Sequence, residues 1–125
     1  MRLLLDTNVL LWTLAGHERA EHLRGRILDV DNEVYVSSAS YWELAIMVGI
    51  GKLDVNVSEL RQAARESGFI ELPVNGAHAE YLVKLPPLHK DPFDRMLVSQ
   101  AQSEPMRLLT SDGLLAGYGS NIEVV

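Results

Sequence analysis

Acidic residues recur in this chain at places where the residue pattern changes. Asp6 ends LLLD, Glu43 lies in SASYWE, Asp91 and Asp94 lie in HKDPFDR, and Asp112 lies in LLTSDG. Asp6, Glu43 and Asp112 each come after a short apolar run with the character of a strand. If those strands run parallel, the three carboxylates meet beyond the strands' carboxyl ends, which is where open α/β sheets place their ligands. Asp91 and Asp94 follow no clear strand, so spacing alone does not place them. Carboxylates a few ångströms apart repel and raise one another's pKa unless a cation joins them. Oxygen donors with few histidines suit Mg2+ or Mn2+. Such ions serve phosphoryl chemistry, where they activate a water and neutralise charge on the phosphate.

Taken singly, each acid also has a structural explanation. Ser40-x-x-Glu43 has the spacing of a capping box, and Asp91-Pro92 reads as an N-cap followed by proline at the first helical position, with Asp94 third. Asp112 or Ser111 can cap a short helix, and Asp6 or Asn8 can cap the first one. On that reading Asp6→Asn is harmless, since Asn and Asp rank alike as caps. If Asp6 is a ligand instead, the same change relieves repulsion in the metal-free protein while abolishing activity.

The elements that must position these acids alternate along the chain. RLLL reads as a strand, NVLLWTLAG as a helix stopped by Gly16, and residues 17–30 as a polar helix. VYV at Val34 to Val36 is a second strand, and SSASYWELAIMVGIGKL is a capped helix with Glu43 in its first turn, ending at Gly49 or Gly51. VSELRQAARESG is helical, FIEL is a third strand, and NGAHAEYLVKL is helical up to Pro86. DPFDRMLVSQAQSE is a further helix, with RLLT and IEVV as the last strands. This alternation implies an α/β fold: a central, mainly parallel sheet of about four or five strands with helices on both faces. No repeat or linker divides the chain, so residues 1–125 form one domain.

Composition narrows the chemistry. With 47% hydrophobic and 22% charged residues the chain is globular, and a net charge of -6 argues against a broad basic face for nucleic acid. The absence of cysteine excludes disulfides and thiolate metal sites. No apolar run has membrane-spanning length and the N-terminus has no signal-peptide layout, which points to a cytoplasmic location.

LLLDTNVLLW, SSASYWELAIMVGIGKL, HKDPFDRMLVSQA and LLTSDGLLAGY, in that order over nearly the whole length, resemble the PIN-domain ribonucleases, in particular the VapC-type toxins of bacterial toxin-antitoxin pairs. The resemblance implies a three-layer PIN-like fold and a metal-dependent endoribonuclease. It implies Asp6, Glu43, Asp94 and Asp112 as the metal-binding and catalytic acids, and selects Asp94 over Asp91, which keeps the cap. It also implies Mg2+ or Mn2+ as cofactor, and RNA, a cognate antitoxin and a second copy in a homodimer as partners.

Around the acids, Thr7, Asn8 and Thr110 can orient a carboxylate or the water shell of a metal. Arg95, Lys52 and His89 can touch substrate. His17, His22, His78 and His89 show no metal-ligand spacing. Trp12 and Trp42 fall on apolar helical faces and are expected in the core, whereas Tyr41 and Tyr118 can stack on a base. A haloacid-dehalogenase-type phosphatase is disfavoured because its second acid is replaced by Asn8, an amide unable to protonate a leaving group. A phospho-accepting receiver domain is disfavoured because Asp54 follows a poor strand. A catalytically silent PIN-like binding module would be marked by loss of one of the four acids, and none is lost.

Overall fold

The computed structural model describes residues 1–125. Five strands, β1 (Arg2–Leu5), β2 (Glu33–Ser37), β3 (Ile70–Leu72), β4 (Arg107–Thr110) and β5 (Ile122–Val124), form one sheet in the order β3-β2-β1-β4-β5. Every neighbouring pair is parallel. Leu5 stands opposite both Val36 and Leu109, so β1, β2 and β4 end level with one another. The chain steps outward from β1 through β2 to β3 and then returns to the other side of β1 for β4. That reversal is the topological switch point of the sheet, and it opens between the ends of β1 and β4.

The helices are α1 (Thr7–Ala15), α2 (Arg24–Leu28), α3 (Ser38–Gly49), α4 (Val57–Glu66), α5 (Gly76–Tyr81) and α6 (Pro92–Ser103). Short 3-10 turns cover Glu18–Leu23, Leu82–Lys84 and Gly113–Tyr118. The leucine run of β1 explains the three layers. Successive strand side chains point to opposite faces. Leu3 and Leu5 pack with Val9, Leu10, Leu44 and Ala64 from α1, α3 and α4, while Leu4 packs with Leu97, Val98 and Ala101 from α6. All three leucines are fully buried.

Three local expectations change. Residues 17–30 do not form one helix, because His17 caps a 3-10 turn and α2 adds only five residues. The helix expected from Asn75 to Leu85 tightens into a 3-10 turn after Tyr81. α3 begins earlier than the capping-box spacing suggests. Ser37 is its N-cap, with the Oγ accepting from Ala39 N, so Ser40 lies inside the helix and Glu43 in its second turn.

Candidate metal and active site

Asp6 emerges at the end of β1 because the next residue already starts α1. Its backbone N–H donates to Leu109 O and so continues the ladder with β4. Its Oδ1 accepts from Val9 N at 2.7 Å, which makes it the N-cap of α1 in place of Asn8. Its Oδ2 accepts from Thr110 Oγ1 at 2.7 Å and from Ser111 N at 2.9 Å. The side chain is therefore buried at the switch point with donors from the end of β4, and it caps α1 as well. Asn8 is exposed, two residues further on, and its amide donates to Ser111 Oγ.

Glu43 approaches from the second turn of α3. Thr7 Oγ1 donates to Glu43 Oε1 at 2.6 Å, and the Ser40 hydroxyl lies 3.1 Å from the same oxygen of Thr7. Burial pushes the Glu43 carboxyl above its ordinary range; the Thr7 bond opposes this, and the charges of Asp91 and Asp6 add to it.

Asp91 and Asp94 divide their work. Asp91 is the N-cap of α6, its Oδ1 accepting from Phe93 N and Asp94 N. Asp94, one position into the turn beyond Phe93, points at the other acids. Burial pushes its pKa up to about 7, helped by the charges of Asp91, Asp6 and Glu43 and opposed by His89. The chain offers its carboxylate only His89 Nε2, at 3.8 Å.

Asp112 closes the group from the end of β4. Its Oδ1 accepts from Leu114 N, capping the 3-10 turn, and its Oδ2 lies 2.7 Å from His89 Nε2. These bonds hold the carboxyl below its ordinary range, with the Leu114 N–H the largest cause. Nε2 of His89 and one oxygen each of Asp94 and Asp112 lie within 4.8 Å of one another.

The site thus brings Asp6, Glu43, Asp94 and Asp112 to one edge, with Thr7 and Thr110 holding two of them. It fits a hard divalent cation on its own evidence. Asp94 has a pKa displaced to about 7, first by burial and then by the facing charges of Asp91, Asp6 and Glu43, with only His89 opposing.

Other expectations move. Arg95 turns from the cluster toward Leu82 O and Leu85 O, each 3.5 Å away. Lys52 lies exposed past the end of α3, the end farther from Glu43. Tyr118 is buried in the core, and its hydroxyl accepts from His89 N, so its ring is not free to stack on a base. Trp12 packs partly buried against the α1 side of the core, but Trp42 does not enter the core at all. Trp42 is 65% exposed and meets Phe93 edge-on, with ring centroids 5.1 Å apart. Helical periodicity marked an apolar face there without showing that nothing covers it.

Residue types alone did not single out Ser40, Ser111 or the close approach of His89 to Asp112. Short polar residues after a strand were the only signal for the serines. His89 and Asp112 are 23 residues apart, a separation that matches no ligand motif.

Several solved structures share this fold. A chain of VapBC2 from Rickettsia felis, in a crystal structure with a DNA fragment from their promoter, matches with a TM-score of 0.73 at 18% identity, over 100% of this chain and 98% of that one. A chain of a toxin-antitoxin complex from Klebsiella pneumoniae matches with a TM-score of 0.67 at 24% identity, over 98% and 96%. A chain of VapBC-1 from nontypeable Haemophilus influenzae matches with a TM-score of 0.63 at 20% identity, over 90% and 87%. Comparison with curated proteins gives no match. The family model for the PIN domain matches residues 3–119, which span β1 through the turn after β4 and contain all four acids, and the chain belongs to the PIN domain family.

Proposed function

We propose that this chain is a metal-dependent endoribonuclease and the toxin of a toxin-antitoxin pair. The observation that carries this reading is the carboxylate cluster at the switch point, where burial first, and then the charges of Asp91, Asp6 and Glu43, push Asp94 up to about 7. Asp6, Glu43, Asp94 and Asp112 would hold Mg2+ or Mn2+. A bound ion of this kind supplies Lewis acidity toward a phosphate oxygen and toward an attacking water. The chain's own part is orientation: Thr110 and Ser111 aim Asp6, and Thr7 aims Glu43. With water as the nucleophile, the products carry a 5'-phosphate and a 3'-hydroxyl, and the ribose 2'-hydroxyl is not consumed.

The fold neighbour described as a toxin-antitoxin complex supports an antitoxin partner for this chain. The acidic balance of -6 favours a partner segment with basic residues. A homodimer is the expected assembly. Trp42, Ile46 and Ile50 form an exposed stripe along one side of α3 with no charged member, so two acidic copies can meet there without opposing like charges. No helix is long and apolar enough to cross a membrane.

The test is RNA cleavage by purified protein with Mn2+ or Mg2+ and again in excess chelator, with the product ends identified. Metal-dependent cleavage leaving 5'-phosphates is expected. Undiminished cleavage in chelator would end the metal reading. RNA or antitoxin binding without cleavage in either ion would favour the silent binding module.

A further inference from the structure

We propose that His89 acts as a fixed Nε2–H donor that positions Asp112, and that it is not a ligand of the metal, although its ring lies among the carboxylates. This rests on the metal-site reading above but concerns a different atom. The argument turns on the other ring nitrogen. Nδ1 of His89 accepts the backbone N–H of Asp91 at 3.0 Å. A nitrogen that accepts a hydrogen bond carries no proton, so the neutral ring must carry its proton on Nε2. Nε2 lies 2.7 Å from Asp112 Oδ2, where that proton is donated.

Ligation through Nε2 would require the opposite tautomer, with a proton on Nδ1 facing the Asp91 N–H. Two donors would then oppose one another at the N-cap of α6. Metal-binding histidines ordinarily use the other nitrogen as a donor, to a carbonyl or carboxylate. Here the backbone occupies it as a donor instead. The ring is further held by its own backbone, since His89 N donates to the Tyr118 hydroxyl at 3.0 Å.

The molecule contains the same arrangement away from the acids. His78 Nδ1 accepts Asn75 N at 3.1 Å, and its Nε2 lies 2.6 Å from Glu104 Oε2, joining α5 to the end of α6. His78 is buried and has the bonding of a donor that fixes a carboxylate. His89 repeats this pattern on a carboxylate of the site. Asp112 is then set at both oxygens, by Leu114 N on Oδ1 and by His89 on Oδ2. His89 is accordingly a positioning residue.

The experiment combines two measurements on the full chain. Long-range 1H–15N spectra of the imidazole rings, taken without metal and then with Mg2+, report the tautomer of His89. The Nε2-protonated form is expected in both, and a deprotonated Nε2 in either would overturn the proposal. The same spectra decide this whether or not the protein cleaves RNA, so failure of the nuclease reading is seen separately. Mn2+-loaded protein, examined by pulsed electron paramagnetic resonance, should show no directly bound imidazole nitrogen; such a coupling, lost in His89→Gln, would overturn the proposal. His89→Ala should lower kcat by about 10- to 100-fold. His89→Gln, which retains an amide donor but lacks an imidazole, should recover most of that loss. Activity in His89→Gln as low as in His89→Ala would overturn the donor role.

Discussion

Asp6 and Asp94 are two aspartates of one cluster, and their surroundings are opposite. Asp6 is almost fully buried, with Val9 N, Thr110 Oγ1 and Ser111 N all donating to it. Asp94 sits in the first turn of a helix whose cap bonds go to Asp91, and it has only His89 at 3.8 Å. Three donors hold the Asp6 carboxylate and tie α1 to the ends of β1 and β4. Burial, and then the acids it faces, raise the pKa of Asp94 to about 7. One carboxylate therefore belongs to the fold as well as to the site, and the other carries a charge that both burial and its neighbours oppose.

The largest effect should separate them by stability while both lose activity. Asp94→Asn and Asp6→Asn should each reduce RNA cleavage by about 100-fold or more, the scale of several kcal/mol of lost charge stabilisation. In metal-free protein near pH 8, Asp94→Asn should raise stability, because its pKa displacement from 3.8 to about 7 corresponds to at most about 4 kcal/mol of relieved strain. Asp6→Asn should lower stability by about 1–3 kcal/mol, since an amide places an N–H against one of the donors that Asp6 accepts. This reverses the expectation from capping rank alone. Urea unfolding with and without Mn2+ checks both, and equal shifts of the same sign would erase the contrast.

The pH dependence sharpens the comparison. Below the unfolded value near 3.8, Asp94 is protonated in both states and contributes no slope. As pH rises toward 7 the unfolded chain releases that proton while the folded chain keeps it, so metal-free stability should fall and then level off above about 7. Glu43, raised by burial, adds to the same slope. Saturating Mg2+ should flatten it, and thermal melts from pH 4 to pH 8 measure this. The Asn variant of Asp94 should lose most of the slope, whereas a slope unchanged in that variant would mean that other groups produce it.

A smaller effect is expected at Asp91. Asn in place of Asp91 still caps α6, so stability should change by a few tenths of a kcal/mol at most and cleavage should stay near the parent level. Removal of its charge should draw the Asp94 titration downward, measurable by carbon-detected NMR of the side-chain carboxyls. A loss of cleavage matching that of Asp94→Asn would show that the two acids share the role assigned to Asp94.

The parts of the fold legible in the sequence are those fixed by local pattern. Each strand of the sheet was marked by a short apolar or β-branched run, and the turns that follow β1, β2 and β4 were marked by an acid or serine. The parts that were not legible depend on what packs against a residue. Trp42 has the spacing of a core residue and lies exposed. Ser40 and Glu43 have capping-box spacing, but the β2 strand ends at Ser37 and α3 starts there.

By itself the sequence determined that acids follow β1, β2 and β4, and alternation required a parallel sheet, because strand connections through helices return in the same direction. It also determined the two-sided core, through the period of two in Leu3, Leu4 and Leu5. Only the tertiary structure decided the strand order, and with it which acids become neighbours. Once β4 is inserted beside β1, Thr110 and Ser111 donate to Asp6, and Asp112 comes within reach of His89. The physical reason is range. Propensity and capping act over a few residues, whereas repulsion among carboxylates and the tautomer of a histidine depend on groups brought within a few ångströms from distant parts of the chain.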